Sequence, residues 1–244
     1  MKFYRATLWV TFLLTPHQDN LVYFLAQYKS TCSAIKKDGS VASLEARYFI
    51  DPDDSGPEPP VQVKCNFIIR KETGQTEIET VDAEDQTIKN PSNYKNRFSF
   101  KKEIKYEIPL SSVKAIVDRS QTCEQLVKYE CLNAKLFNQP GGVPSSRWLS
   151  ANGYLQYYWG GALPNSYKCA CVYSKDGCRN AESFCNCDSP EAEKDTQSDE
   201  GLLNVTRDLP VREVQFGGLD SISRATYTIK RVVCYGVGKC TTVT

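Results

Sequence analysis

Histidine is nearly absent from this 244-residue chain; the one imidazole is His17. Serine and cysteine nucleophiles, and general acid–base steps, most often recruit a positioned histidine. The composition therefore argues against an enzyme, and no catalytic residue is assigned. A zinc cage mixing thiolate and imidazole would lack its nitrogen donor. Charge of one sign is missing too: 30 Lys and Arg oppose 29 Asp and Glu, a net +1. Nucleic-acid binding needs a basic surface to neutralise phosphates, so no such partner is expected. No apolar run reaches the roughly 18 residues of a spanning helix, so no membrane insertion by this segment is expected. Methionine occurs once, at Met1, whereas tyrosine occurs 14 times.

What the chain does have is 11 cysteines. Five of them, Cys169, Cys171, Cys178, Cys185 and Cys187, crowd one short stretch. The C-x-C spacing fits poorly with the C-x₂-C pattern of zinc sites. Disulfides are the expected state, which places folding in an oxidising compartment and the protein outside the cell, secreted or extracellular. An Asn-Val-Thr sequon at Asn204 agrees with a glycoprotein, while Asn90-Pro91-Ser92 is disqualified by its proline.

At the N-terminus, Lys2 and Arg5 precede the apolar run Ala6–Leu14, the length of a signal-peptide core. Pro16 to Asn20 breaks it, Leu21–Tyr28 is apolar again, and no clean cleavage site follows. Residues 1–28 are read as a candidate signal peptide and N-terminal tail, 29–236 as one domain, and 237–244 as a C-terminal tail. Within that domain, Cys32–Lys37 reads as a short helix stopped by Asp38-Gly39. Leu44–Ile50 reads as a strand, and Asp51 to Pro57 as a turn. Val61, Val63, Cys65, Phe67 and Ile69 alternate as a half-buried strand does, with Thr76–Val81 as its hairpin partner. Glu84–Asn96 reads as loop. Phe98, Phe100, Ile104, Tyr106 and Ile108 continue the alternation. Ser111 and Ser112 are candidate caps of a helix through Val113, Ile116 and Val117. Val127, Tyr129 and Cys131 alternate once more. Residues 173–208 read mostly as loop, and Val211–Phe216 and Ala225–Tyr235 as closing strands. The fold class is α+β and strand-rich, a globular domain stapled by disulfides.

Two acidic clusters are candidate calcium sites. Asp51, Asp53 and Asp54 fit a structural turn better. Asp188, Glu191, Glu193, Asp195, Asp199 and Glu200 lack an alternating ligand pattern and fit a solvated acidic loop. No metal site or cofactor is therefore expected, with calcium the one candidate. Tyr154, Tyr157, Tyr158 and Trp159 form an aromatic block, expected to be core at Trp159 and about half of the tyrosines.

Cys123-Glu-Gln-Leu-Val-Lys-Tyr-Glu-Cys131 and Leu136-Phe137-Asn138 are similar to the fibrinogen-like domain of the contactin-associated proteins, the neurexin IV group. So are Tyr158-Trp159-Gly160-Gly161, Lys168-Cys-Ala-Cys171, Phe184-Cys-Asn-Cys-Asp188, Gly201-Leu-Leu203, Asp208-Leu-Pro-Val211 and Val233-Cys-Tyr-Gly236. The first half resembles the family more loosely, through Cys32, Gly39-Ser40, Ile50-Asp-Pro-Asp53 and Val63-Lys-Cys65. It departs at Leu44, where the family has glycine, and at Thr76–Thr80, where the family has a tryptophan. The resemblance implies a fibrinogen C-terminal-like fold and a non-enzymatic module of cell adhesion or extracellular-matrix organisation. Its partner would be an extracellular protein or glycan. A calcium-assisted glycan-binding lectin and a disulfide-crosslinked matrix scaffold are the alternatives. The resemblance implies a Cys32–Cys65 bond, and spacing alone suggests Cys123 with Cys131. The pairing of Cys169, Cys171, Cys178, Cys185, Cys187 and Cys234 stays open. Cys240 is the odd cysteine, a candidate for a disulfide-linked dimer. No ligand-binding residue is named.

Overall fold

A computed structural model describes residues 28–54, 56–70, 72–88, 96–138 and 142–238. His17, the candidate signal segment upstream of Tyr28, and Cys240 lie outside these residues. The first element shows how local chemistry sets an element's ends. Helix α1 spans Cys32–Asp38, and the Thr31 hydroxyl accepts the Ala34 N–H. Gly39 stops it at φ 77°, a left-handed conformation that costs glycine little.

Among the described residues, two α-helices and eleven strands follow the chain. After α1 come β1 (Glu45–Ile50), β2 (Val61–Asn66), β3 (Gln75–Ile78), β4 (Gln86–Thr87) and β5 (Phe100–Glu103). Then come α2 (Leu110–Arg119), β6 (Ser120–Leu132), β7 (Arg147–Ser150), β8 (Leu155–Gln156), β9 (Gln197–Leu203), β10 (Val211–Phe216) and β11 (Arg224–Val237). A seven-stranded sheet runs β1-β2-β3-β11-β6-β9, with β4 also on β11, and a four-stranded sheet runs β5-β10-β7-β8. All strand pairs are antiparallel. The long pair β6 and β11 is the spine. From Gln125 to Leu132, β6 alternates buried and half-buried residues, as a strand packed on one face does. β11 is thus a central strand rather than a closing edge.

Between the sheets sits an aromatic cluster. The Phe216 ring lies 5.1 Å from Tyr129, 5.4 Å from Tyr227, 6.1 Å from Trp159 and 6.3 Å from Phe100. Trp159 and Tyr158 are buried, Tyr157 is partly buried and Tyr154 is exposed. The two indole N–H groups among the described residues are satisfied: Trp148 donates to Tyr158 O and Trp159 to Asp199 O. Gly201 allows β9 to come close to Gly160, because a Cβ on Gly201 would lie 2.2 Å from Gly160 O.

Four expectations need correction. Cys123 and Cys131 do not pair. Both sit on β6, eight residues apart, which at a strand rise of about 3.4 Å separates them by about 27 Å. Cys123 bonds Cys234, directly opposite on β11, and Cys131 bonds Cys187. Second, residues 173–208 contain β9, a full strand of the main sheet. Its inward positions begin with the polar Gln197 and Asp199, so no hydrophobic alternation marks it. Third, α2 starts after Pro109 without a side-chain cap, and Ser111 and Ser112 donate to Glu58 Oε2. Fourth, the Phe98–Ile108 strand is confined to Phe100–Glu103. Tyr106 leaves it to place its hydroxyl on Val211 O at 2.7 Å.

Candidate functional site

The cysteine-rich segment packs against the β6–β9 end of the main sheet. Cys169 bonds Cys185, Cys171 bonds Cys178, and Cys131 bonds Cys187, while Cys32 bonds Cys65 at the far end of the molecule. Each bond removes two thiolates, so these sulfurs cannot build a zinc cage. The Cys169 and Cys185 sulfurs do lie near an Asp199 oxygen, a grouping that would suit a cation only if the thiols were free.

Two acids of the expected solvated loop are instead buried, and this is a further correction. Asp188 is 3% exposed and Asp199 is 2% exposed. Asp188 sits in a 3-10 turn over Asn186–Asp188 and accepts the Leu136 N–H at 2.8 Å, the Phe137 N–H at 3.2 Å and the Asn138 N–H at 3.2 Å. Asp199 faces inward from β9 and accepts the Asn186 and Cys187 N–H groups, each at 2.9 Å. Burial pushes both carboxyls up to about 6, with the backbone N–H groups pulling the other way. Burial, and then these two carboxylates, hold the Tyr129 hydroxyl well above its ordinary range. The pair therefore clamps three stretches of backbone: the turn after β6, the Cys185–Cys187 turn and β9.

The other acids have ordinary surface roles. Glu193 pairs with Lys135 at 3.3 Å, and Glu191 accepts from Asn180 at 3.3 Å. Asp195 and Glu200 are exposed. In the first cluster, Asp51 accepts the Asp54 N–H, Asp53 accepts the Glu58 N–H, and Asp54 lies 3.5 Å from Arg119. These are turn contacts. Asn204 is exposed just after β9, and the Thr206 hydroxyl accepts the Cys123 N–H at 2.9 Å.

Beside the clamp lies an open polar cavity of about 330 Å³, lined by Glu130, Arg179, Asn186, Thr196, Gln197 and Ser198. Glu130 on β6 is opposite Ser198 on β9. Arg179 follows the Cys171–Cys178 bond, and the Asn186 side chain accepts its N–H at 2.8 Å. The arginine then donates to Gln197 Oε1 at 3.0 Å. No sequence signal joins these residues, which come from separate segments and carry no spacing pattern.

No protein-family model matches the chain. Among curated proteins, human contactin-associated protein 1 is 32% identical over 216 residues, 86% of this chain. The chain is similar to a segment of contactin-associated protein 1. The rat and mouse forms are each 31% identical over 217 residues. The chain spans 14% of the length of these relatives. The five disulfides among the described residues fit folding in an oxidising, extracellular setting. Among the described residues, no helix is long and apolar enough to cross a membrane.

Proposed function

We propose that the chain is a non-enzymatic extracellular recognition module of the fibrinogen-like type, with residues 29–236 as its domain, acting in cell adhesion or matrix organisation. The observation that carries this reading is the similarity to contactin-associated protein 1 across 86% of the chain. The scaffold is consistent with it, because cross-linked sheets can hold polar surface segments rigid for binding. The relative is named for its association with contactin, and a contactin-type surface protein is the first partner to test. Surface plasmon resonance of the purified chain against contactin ectodomains should show saturable binding that is lost after reduction. Absence of binding to every contactin tested, and to contactin-bearing cells, would remove the adhesion reading.

A second reading, a glycan-binding lectin, is favoured by the polar cavity between β6, β9 and Arg179. Calcium would assist it only if the ion raised affinity, which a titration with and without chelator would reveal. The crosslinked-scaffold reading depends on Cys240.

A further inference from the structure

One end of the main sheet carries exposed apolar side chains. Glu45, Asn66, Gln75 and Tyr235 are aligned across β1, β2, β3 and β11. Just beyond that row lie Leu44, Ile68, Ile69 and Val237, exposed by 57%, 53%, 68% and 44%. Single apolar residues at a surface are ordinary, but a group at one end, with two isoleucines adjacent, marks an interaction surface. The isoleucines are held in place. Asn66 is buried, and its Oδ1 accepts the Ile68 N–H at 2.9 Å and the Ile69 N–H at 3.3 Å. Beside them, Leu44 O accepts the Phe67 N–H at 2.8 Å.

Cations flank this tip on both faces of the sheet. Cys65, Thr76 and Cys234 share a row. Helix α1 packs on their face, through the Cys32–Cys65 bond and the Cys32 N–H on Thr76 Oγ1 at 3.1 Å. There Lys36 of α1 lies 6.0 Å over the Phe67 ring, with Lys37 exposed next to it in the chain. Tyr235 follows Cys234 and so faces the other side of β11. The Arg70 guanidinium lies 3.5 Å over its ring. Both charges are thus set behind the isoleucines, on rings that belong to the sheet. Among the described residues none of these three cations is in an ion pair, whereas Asp38 is held by Lys29 at 3.0 Å and Glu45 by Lys64 at 2.7 Å. Glu72 remains as an exposed acid on the loop.

We propose that this end of the domain docks on an anionic phospholipid surface, with Leu44, Ile68 and Ile69 entering the acyl boundary and Lys36, Lys37 and Arg70 meeting the phosphates. Apolar tips in front and cations behind is the order of an interfacial anchor: hydrocarbon takes the tips and headgroups take the charge. Long basic side chains suit this role, because their stems cover apolar surface while their heads stay hydrated. A protein pocket would meet the tip from one side, whereas a headgroup layer surrounds it, and here the cations stand on both faces. The contact is a seating at the interface rather than a spanning helix, and among the described residues no helix is long and apolar enough to span. It goes beyond the contactin reading, and either can fail alone.

The test is co-sedimentation of the full chain with vesicles of phosphatidylcholine alone and of phosphatidylserine mixed with phosphatidylcholine. The mixed vesicles should bind at least about tenfold more tightly, and added salt should weaken them. Ile68→Ser with Ile69→Ser should lower partitioning by about tenfold or more, as lost apolar burial requires. Lys36→Gln with Arg70→Gln should lower it by a similar factor. Tyr154→Ser removes an exposed ring from the smaller sheet and should bind as wild type does. The replaced side chains lie at the surface, so the variants should fold, and near-UV circular dichroism reports this directly. Equal binding to neutral vesicles overturns the role of the cations. Wild-type binding by the isoleucine variant, or an equal loss in Tyr154→Ser, overturns the tip. Absence of binding to mixed vesicles overturns the proposal outright. If ultracentrifugation then shows a dimer that the isoleucine variant lacks, the tip belongs to a second copy of the chain instead.

Discussion

The spine of the molecule and its cysteine-rich flank are held by different forces. Around β6, β10 and β11 the interior is apolar: Trp148, Val211, Val214, Phe216, Tyr227 and Ile229 are all buried. Between residues 164 and 202 the buried apolar side chains are Cys169, Cys185, Cys187 and Ala192. Three of these four are in disulfides, and Asp188 and Asp199 fill the space that aliphatic residues occupy elsewhere. The first region excludes water by packing. The second has too little apolar surface for that and is fixed by cross-links and by carboxylates that accept backbone N–H groups. A flank built this way can keep a polar surface and still be rigid, which is what a recognition surface needs.

The sharpest way to break this contrast is to cut each region by its own means. Phe216→Ala removes the ring shared by four aromatic neighbours and should cost about 3–5 kcal/mol in urea denaturation. A loss below about 1 kcal/mol would mean that the spine does not depend on packing. Cys131→Ser with Cys187→Ser opens a bond spanning 56 residues and should cost about 2–4 kcal/mol. Hydrogen exchange should rise near Cys187 and β9 while the β6–β11 pairing stays protected. Uniform exchange across both regions would show that the flank is not a separate unit.

The third expectation concerns pH. Asp188 and Asp199 have carboxyls raised to about 6, so the folded state binds protons more readily than the unfolded state. Their contribution is fully present below about pH 4 and is lost as pH rises through about 6. The loss should be on the order of 2–3 kcal/mol for each carboxylate. Other acids act in the opposite sense: the Ser40 hydroxyl, with Lys29, lowers Asp38, and Lys64 lowers Glu45. The informative quantity is therefore the difference between wild type and Asp199→Asn from pH 4 to 7, whose change should track one carboxylate. A pH-independent difference would mean that Asp199 is solvated.

The smallest effect is expected at Cys240, outside the described residues. Cys240→Ser should leave unfolding within about 0.5 kcal/mol of wild type, as substitutions away from buried features do. On non-reducing gels it should abolish any disulfide-linked dimer. Identical monomeric migration of both forms, with no small-thiol adduct on wild type, would remove the scaffold reading.

Part of this was legible from residue order alone. Helix α1 was, because Gly39 supplies a local stop that needs no distant partner. Strands β1, β2 and β10 were too, since buried Ile50, then Val61, Val63 and Cys65, then Val211, Val214 and Phe216 are apolar. β9 was not, because its inward Gln197 and Asp199 become interior residues only when the Cys185–Cys187 turn covers them. Asp188 reads as one of a run of acids, and nothing in its neighbours signals that the Leu136 N–H will meet it.

Residue order by itself determined the oxidising compartment, through cysteine number and the lack of histidine, and the strand-rich class, through alternation. Both follow from side-chain chemistry and from spacing within a few residues. Tertiary structure alone decided which cysteines meet, which acids are buried and where a polar cavity opens. Cys123 and Cys234 are separated by 111 residues yet lie 4.1 Å apart at their Cα atoms. Arg179 reaches Gln197 only because the Cys171–Cys178 loop and β9 pack side by side. Such contacts depend on the register of distant strands, which no short window of sequence contains.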